Sequence, residues 1–237
     1  MLSTLTVDRL LHVPESRFGV WFLGTDIWET YVLEFAINDL KNLIGNRKAS
    51  YPVIVDLGCG SGRSFKLLNK HFAPELIIGA DIDTDMLRLS KQEAKRQGLE
   101  VRLIQGTSAS LALADQSVDL LLCHQTFHHL VDQQSAIHEF HRVLKPGGLL
   151  LFAESTRAFI HSWIIRLLFR HPMDVQKSAS EYLSVIENAG FKIAPDAVSY
   201  PYLWWSRTDL GIRERVFGRP PAPSHEETLL NVVAVRN

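Results

Sequence analysis

Cysteine is scarce in this 237-residue sequence: only Cys59 and Cys123 occur, each inside an apolar or glycine-rich run. Such a pair does not build a disulfide framework and is typical of a reducing compartment. Long hydrophobic runs are also lacking, since no stretch approaches the ~20 apolar residues of a membrane-spanning helix. The segment from Met1 to Pro14 has no charged start followed by an apolar block, so we expect no signal peptide. These absences predict a soluble, cytoplasmic protein.

Net charge is nearly absent as well, because 25 Lys and Arg residues oppose 26 Asp and Glu residues, for a formal charge of −1. This balance argues against broad attraction to nucleic acid or anionic membrane, although a local basic patch remains compatible with it. Internal repeats and low-complexity segments are lacking too. The length suits one domain over residues 1–237.

Apolar runs alternate with helical patterns through the centre of the chain, which is typical of βαβ units and a parallel sheet. Five strands are predicted, starting at Val53, Leu76, Val101, Val118 and Leu149. We therefore predict an α/β fold with a doubly wound, Rossmann-like, mostly parallel sheet. An N-terminal helical cap should cover 1–50, and a helical insertion should follow the fifth strand over 156–180. An extended segment from Phe191 to Tyr200 and a last strand from Leu229 to Val235 complete the domain.

A glycine cluster follows the first strand, with Gly58, Gly60 and Gly62 at alternate positions. Glycines at the end of a buried strand let the backbone approach a ligand that a Cβ would keep away. The spacing differs from the G-x-G-x-x-G of dinucleotide binders, so we expect an amino-acid or nucleoside group beside the loop. An ordinary tight turn would give the same pattern.

Asp81 ends the second strand about 20 residues after the glycine cluster, where an acidic residue typically accepts hydrogen bonds from ribose hydroxyls. Capping of the next helix is the alternative role for an acid here. We assign ribose binding to Asp81 and helix capping to Asp83.

These blocks resemble the class I S-adenosylmethionine-dependent methyltransferases, most closely the ubiquinone/menaquinone-biosynthesis-type (methyltransferase type 11) subgroup. The residues that carry the resemblance are VIVDLGCGSG, GADID and VDLLLCHQTFHHLVDQQSAIHEFHRVLKPGGLLLF. The resemblance covers roughly residues 50–155 and implies S-adenosylmethionine as the cofactor.

The resemblance also implies a role for each matching position. Asp56 would hold the amino group of the cofactor, the loop of Gly58, Cys59, Gly60 and Gly62 would lie beside its methionine and ribose portions, and Asp81 would take the ribose hydroxyls. Ile82 would lie against the adenine, and His124 and Gln125 would line the methionine side. Family members commonly have Gly-Asp-Ala after the third strand, whereas this chain has Gly106-Thr107-Ser108. Thr107 and Ser108 would then make a weaker, uncharged adenine contact.

Five histidines cluster in sequence: His124, His128, His129, His138 and His141. His138 and His141 would share a helical face, but no cysteine or acidic ligand is placed to complete a metal shell, so we predict no metal site. His128 or His124 is a candidate general base if the acceptor must lose a proton.

Ala158 to Phe169 carries an apolar stripe at helical spacing with basic flanks. It is open to three interpretations: a helix docked on the domain, a lid over a lipophilic acceptor, or a helix in transient contact with a membrane surface. Trp21, Trp28, Trp163 and Trp204 are candidate walls of an acceptor pocket.

The sequence favours a methyltransferase for a small lipophilic or aromatic molecule, with no nucleic-acid partner. Two alternatives remain at this point: a protein or nucleic-acid methyltransferase, and a non-catalytic cofactor-binding or scaffold protein on the same fold. The sequence does not determine the acceptor or the oligomeric state.

Overall fold

The computed structural model describes residues 13, 15–45, 50–207, 211–218 and 225–237. Its centre is a seven-stranded sheet in the order β3-β2-β1-β4-β5-β7-β6. The strands are β1 (Val53–Leu57), β2 (Leu76–Asp81), β3 (Val101–Gln105), β4 (Val118–His124), β5 (Leu144–Ser155), β6 (Phe191–Ser199) and β7 (Leu229–Arg236).

The first five strands pair in parallel, and β7 inserts antiparallel between β5 and β6. This arrangement confirms the predicted mostly parallel, doubly wound sheet. One boundary differs, because β5 begins at Leu144 and not at the predicted Leu149.

The described helices lie between and beside these strands. They are α1 (Arg17–Leu23), α2 (Asp26–Trp28), α3 (Glu34–Ile44), α4 (Ser64–Phe72), α5 (Thr84–Gln97), α6 (Gln133–Val143), α7 (Arg157–Ile160), α8 (Trp163–Leu168), α9 (Ala179–Asn188) and α10 (Ile212–Phe217). A π-helical turn, Glu29–Leu33, joins α2 to α3, and 3₁₀ turns occur at Phe127–His129, Met173–Val175 and Trp204–Ser206.

Helix α5 shows how local sequence determines these boundaries. The Asp83 side chain accepts hydrogen bonds from the backbone N–H groups of Asp85 and Met86, which caps the first turn. The helix ends at Gly98, whose φ of 68° lies in the left-handed region that glycine adopts without strain. The capping role predicted for Asp83 is therefore confirmed.

Two apolar clusters form the core. Neighbouring β1 residues belong to different clusters: Val55 packs with residues of α6 and α9, whereas Ile54 packs with residues of α3, α4 and α5. Successive side chains of a strand point to opposite faces, so each face of the sheet is covered by its own helices.

The predicted N-terminal cap is represented by α1, α2 and α3, and its remaining residues lie outside those that the structure describes. The segment after β5 differs from the continuous stripe expected there, because it divides into α7 and α8 at His161–Ser162. Ile160 in α7 and Ile165 in α8 are buried, whereas Trp163 and Leu167 in α8 are exposed. The division of the chain into cap, insertion and single domain stays a prediction.

Within the described residues, no helix combines the length and the apolar character that crossing a membrane requires.

Candidate cofactor site and the residues around it

The predicted cofactor residues meet where parallel strands end at one edge of the sheet. Strands β3, β2, β1 and β4 are neighbours in that order, so Gln105, Asp81, Leu57 and His124 end side by side. Chain order reverses between β1 and β4, and ligands of open α/β sheets bind in the crevice at such a switch point. The fold thus brings the residues singled out by sequence to one crevice.

The three loop glycines all have positive φ, but they serve different purposes. A Cβ at Gly58 would lie 2.3 Å from Thr126 Oγ1, and one at Gly62 would lie 2.6 Å from a Phe65 ring carbon. Gly58 and Gly62 therefore allow close packing within the protein. The sequence predicted instead that they let the backbone approach a ligand. A Cβ at Gly60, where φ is 51°, would meet no protein atom within 4 Å. Gly60 is the loop glycine that borders open space.

Asp81 is bonded to this loop. Its Oδ2 accepts a hydrogen bond from the Gly60 N–H at 2.9 Å, and its Oδ1 accepts one from the Asp83 N–H at 2.9 Å. Burial raises the pKa of Asp81, and these two backbone donors oppose the rise. Each carboxylate oxygen can accept more than one hydrogen bond, so both retain capacity for hydroxyl groups of a ligand.

Asp56 and Cys59 lie deeper. Asp56 is buried and accepts a hydrogen bond from the Ser64 hydroxyl, and burial raises its pKa to about 7. The Cys59 side chain is buried in the core cluster below the loop, and its backbone N–H donates to the Ala80 carbonyl. Any contact of Cys59 with a cofactor would therefore involve its backbone.

Thr107 and Ser108 follow β3 on the other side of Asp81. The Gly106 N–H donates to the Asp81 carbonyl at 3.1 Å, which fixes the start of their turn beside β2. Both residues are half-buried, as is Ile82, whose carbonyl accepts from Gln105 Nε2. The structure therefore brings the three residues predicted near the adenine to adjacent strand ends.

His124 and Gln125 end β4. His124 is buried with its Nε2 atom unpaired, and burial together with the nearby His128 lowers its pKa to about 3. Its ring centroid lies 5.6 Å from that of Trp28 in α2. Gln125 has a positive φ of 50° and its Oε1 accepts from the Ser155 hydroxyl. A buried unpaired nitrogen and a strained residue are both features expected beside a ligand.

His128 is held by Glu154, a residue that the sequence analysis missed. Glu154 lies fully buried in β5, and its Oε1 accepts from the backbone N–H groups of Thr126 and Phe127 at 2.8 and 2.7 Å. Its Oε2 lies 2.5 Å from His128 Nδ1. A charged residue directly after the apolar run LLLFA was the sequence signal that could have identified it.

Arg63, directly after the last loop glycine, was also missed. Its guanidinium pairs with Asp26 and Glu29 and donates to the Gly24 carbonyl. The side chain of Arg63 is only 21% exposed. This set of contacts fastens the N-terminal helices beside the glycine loop.

Four tryptophans are predicted to wall an acceptor pocket. Among them, Trp28 lies against a predicted site residue, His124. Trp21 and Trp163 are 63% and 70% exposed, and Trp204 is also exposed. The prediction of a common wall is not supported, because Trp21, Trp163 and Trp204 are exposed.

The histidines separate into two sets. His138 forms a hydrogen bond with Gln134 in the same helix, α6, and His141 packs against Phe191 at the start of β6. Both contacts are structural. His128 and His129 instead lie against His171, which follows α8, with ring centroids 4.4 to 5.1 Å apart. His171 lies 30 or more residues from the other histidines of the set in sequence, so no sequence pattern groups it with them.

Comparison with known proteins gives consistent results. Residues 55–152 match the family described as "Methyltransferase domain". The chain is 32% identical over 101 residues to a demethylmenaquinone methyltransferase of Thermus thermophilus, covering 43% of this chain and 46% of that protein. It is 32% identical over 100 residues to a malonyl-[acyl-carrier protein] O-methyltransferase of Coxiella burnetii, covering 42% and 32% respectively. The chain thus spans less than half the length of these two relatives.

A solved structure shares the fold over nearly the whole chain. It is a SAM-dependent methyltransferase from Aquifex aeolicus, with a TM-score of 0.64, 18% identity, and coverage of 92% of this chain and 97% of that one. Residues 55–152 are therefore similar to a methyltransferase domain, and the chain shares its fold with a SAM-dependent methyltransferase; both findings support S-adenosylmethionine as the cofactor.

Proposed function

We propose that this protein transfers the methyl group of S-adenosylmethionine to a small lipophilic or aromatic acceptor in the cytoplasm. The observation that carries the proposal is the open space beside Gly60, next to the half-buried Asp81 carboxylate at the switch point of the sheet. The relatives include enzymes named for a quinone and for an acyl-carrier substrate, which supports a lipophilic acceptor.

We assign the cofactor contacts by position. Asp81 accepts the ribose hydroxyls, and the backbone at Gly60 and Cys59 lies along the nucleoside. Ile82, Thr107 and Ser108 contact the adenine, while Asp56, His124 and Gln125 surround the amino-acid portion. The family match over residues 55–152 supports this assignment, since it covers these positions.

Catalysis then rests mainly on positioning. Bound S-adenosylmethionine supplies an already activated methyl group. The protein holds the acceptor in line and excludes water, which can lower the barrier by ~7–11 kcal/mol in ideal cases. Of the two candidate bases, His128 is better suited than His124, because Glu154 orients its ring whereas burial depresses the basicity of His124.

Replacement of Gly60 by Ala tests the cofactor site. Gly60→Ala places a methyl group in the open space, so we expect calorimetric titration to show at least tenfold weaker binding of S-adenosylmethionine and S-adenosylhomocysteine. Gly98→Ala is the matched control, because Gly98 also has a positive φ, 68°, and no protein atom within 4 Å of its Cβ position. Both variants should lose about 1 kcal/mol of stability from backbone strain.

Equal affinity in the two variants would contradict the assignment of this space to the cofactor. Binding to the wild-type protein without methyl uptake by lipophilic phenols, quinones or amines would favour a non-catalytic scaffold. No binding to a folded wild-type protein would overturn the proposed function.

The surface formed by α1 and α8 supports a lipophilic acceptor delivered from a membrane. Helix α1 packs against the end of α8 through Phe18 and Phe169, whose centroids lie 5.6 Å apart. The exposed apolar side chains of these helices include Val20 and Trp21 in α1 and Trp163 and Leu167 in α8. The exposed residues Arg17, Arg166 and Arg170 belong to the same segments, and this combination favours anionic lipid.

We expect the double variant Trp163→Ser/Leu167→Ser to keep its thermal stability, because these side chains are 70% and 73% exposed. It should bind anionic phosphatidylglycerol vesicles several-fold more weakly in a sedimentation assay. Leu89→Ser, at an exposed position of α5, should bind vesicles as the wild type does. Ile160→Ser should instead destabilise the fold, since that side chain is buried. Unchanged vesicle binding by the double variant would remove the membrane contact from the proposal.

A further inference from the structure

Three histidines from two separate segments converge beside the strand ends. His128 and His129 lie in the 3₁₀ turn after β4, and His171 lies between α8 and the next 3₁₀ turn. Each offers a ring nitrogen, and these three nitrogens lie within 4.8 Å of one another. We propose that His128, His129 and His171 bind a divalent transition metal ion, for which zinc is the probe. This inference does not depend on methyl transfer.

The distances suit a single ion. Zinc–nitrogen bonds of ~2.0–2.1 Å place tetrahedral ligands roughly 3.4 Å apart. The three imidazoles therefore reach coordination geometry through small side-chain rotations. Three neutral imidazoles with an open fourth position are a ligand set of zinc enzymes, whereas Mg²⁺ prefers oxygen ligands.

Glu154 prepares His128 for this role. The Glu154 carboxylate lies 2.5 Å from His128 Nδ1, so a proton on Nδ1 leaves the lone pair of Nε2 for a metal. A carboxylate that orients a metal-binding histidine in this way is a recurrent feature of zinc sites. The two backbone donors on Oε1 fix the carboxylate itself.

Other contacts hold the remaining segments in place. The buried Gln176 side chain donates to the His128 carbonyl and to the Pro172 carbonyl, both at 2.8 Å, which ties the His171 segment to the 3₁₀ turn. Glu15, before α1, places its Oε2 atom 3.7 Å from His129 Nε2. This carboxylate adds the negative charge that a bound cation favours.

A metal ion on Nε2 of His128 would occupy the nitrogen that a general base needs, so the base role proposed above applies only to the metal-free protein. A general-base role would need only His128 and gives no reason for His129 and His171 to lie beside it. Metal coordination uses all three imidazoles. A bound ion would also connect the turn after β4 with the segment after α8, and so fasten that segment to the sheet.

The test is a titration of chelator-treated, metal-free full-length protein with ZnCl₂ and, separately, MgCl₂, followed by calorimetry. We expect one zinc per chain, no magnesium binding, and a higher melting temperature with zinc. His171→Ala should weaken zinc binding at least tenfold. His161→Ala, at an exposed histidine between α7 and α8, should leave it unchanged.

Glu154→Gln tests the positioning role. The glutamine amide would donate to Nδ1 and move the imidazole proton to Nε2, so zinc affinity should fall by about 10–100-fold. Circular dichroism shows whether each variant folds. If one does not fold, His129→Gln is used in its place in the zinc titration. Zinc binding that is absent from the folded wild type, or equal in the His171 and His161 variants, would overturn the proposal.

Discussion

Asp81→Ala is expected to weaken the binding of S-adenosylmethionine by more than tenfold. Asp81 ends β2 beside the open space at Gly60. Under the proposed function, its carboxylate would accept both ribose hydroxyls in charge-assisted hydrogen bonds. Such bonds contribute about 1.5–3 kcal/mol each, and 1.4 kcal/mol corresponds to a factor of ten in affinity. Calorimetric titration of the purified variant measures the change directly.

Asp83→Ala is the matched control, two residues away. Its carboxylate caps α5 by accepting from the Asp85 and Met86 N–H groups. Loss of the cap should cost about 1 kcal/mol of stability and leave cofactor affinity within twofold. Asp81→Asn keeps the size and one acceptor oxygen, so an intermediate loss is expected. A tenfold loss in the Asp83 variant, or none in the Asp81 variant, would refute the ribose assignment.

Glu154→Ala is expected to lower the free energy of unfolding by about 2–6 kcal/mol, because two backbone N–H groups lose their acceptor at a cost of about 1–3 kcal/mol each. The carboxylate is fully buried and accepts from two backbone N–H groups besides facing His128. Its removal leaves the N–H groups of half-buried Thr126 and buried Phe127 without their carboxylate acceptor. Typical domains have only ~5–15 kcal/mol of stability, so this is a large fraction.

Urea denaturation monitored by circular dichroism measures this effect. Glu154→Gln retains an amide oxygen for the two backbone donors, so it should lose less than half as much stability. Val131→Ala, at an exposed position near the same turn, should change stability by less than ~0.5 kcal/mol. Equal stability of the Glu154→Ala variant and the wild type would show that the backbone donors find other partners.

The fold was largely predictable because its signals are local. The predicted strand starts at Val53, Leu76, Val101 and Val118 agree with the structure, since each buried strand forms a short apolar run bounded by turns or polar residues. Leu149 was predicted as the start of β5, but pairing of Leu144 with Val118 extends the strand across Pro146. That extension depends on a neighbouring strand and has no local signal.

The segment after β5 shows the opposite case. Helical spacing predicted one apolar face from Ile160 to Leu168, yet the helix breaks at His161–Ser162. Phe159 packs against Trp205 while the end of α8 packs against α1, so the two halves dock on different partners. Competition between two distant surfaces decided this geometry, and sequence periodicity contains no information about it.

By itself the sequence determined the order of strands and helices, the glycine loop and the place of Asp81, because each depends on residues close together in the chain. Tertiary structure alone decided that Gly60, rather than Gly58 or Gly62, borders open space. It also joined His128 to Glu154 and to His171. Those contacts arise when parallel strands align their carboxyl ends and a later segment packs across them, and such proximity follows from packing of the whole chain.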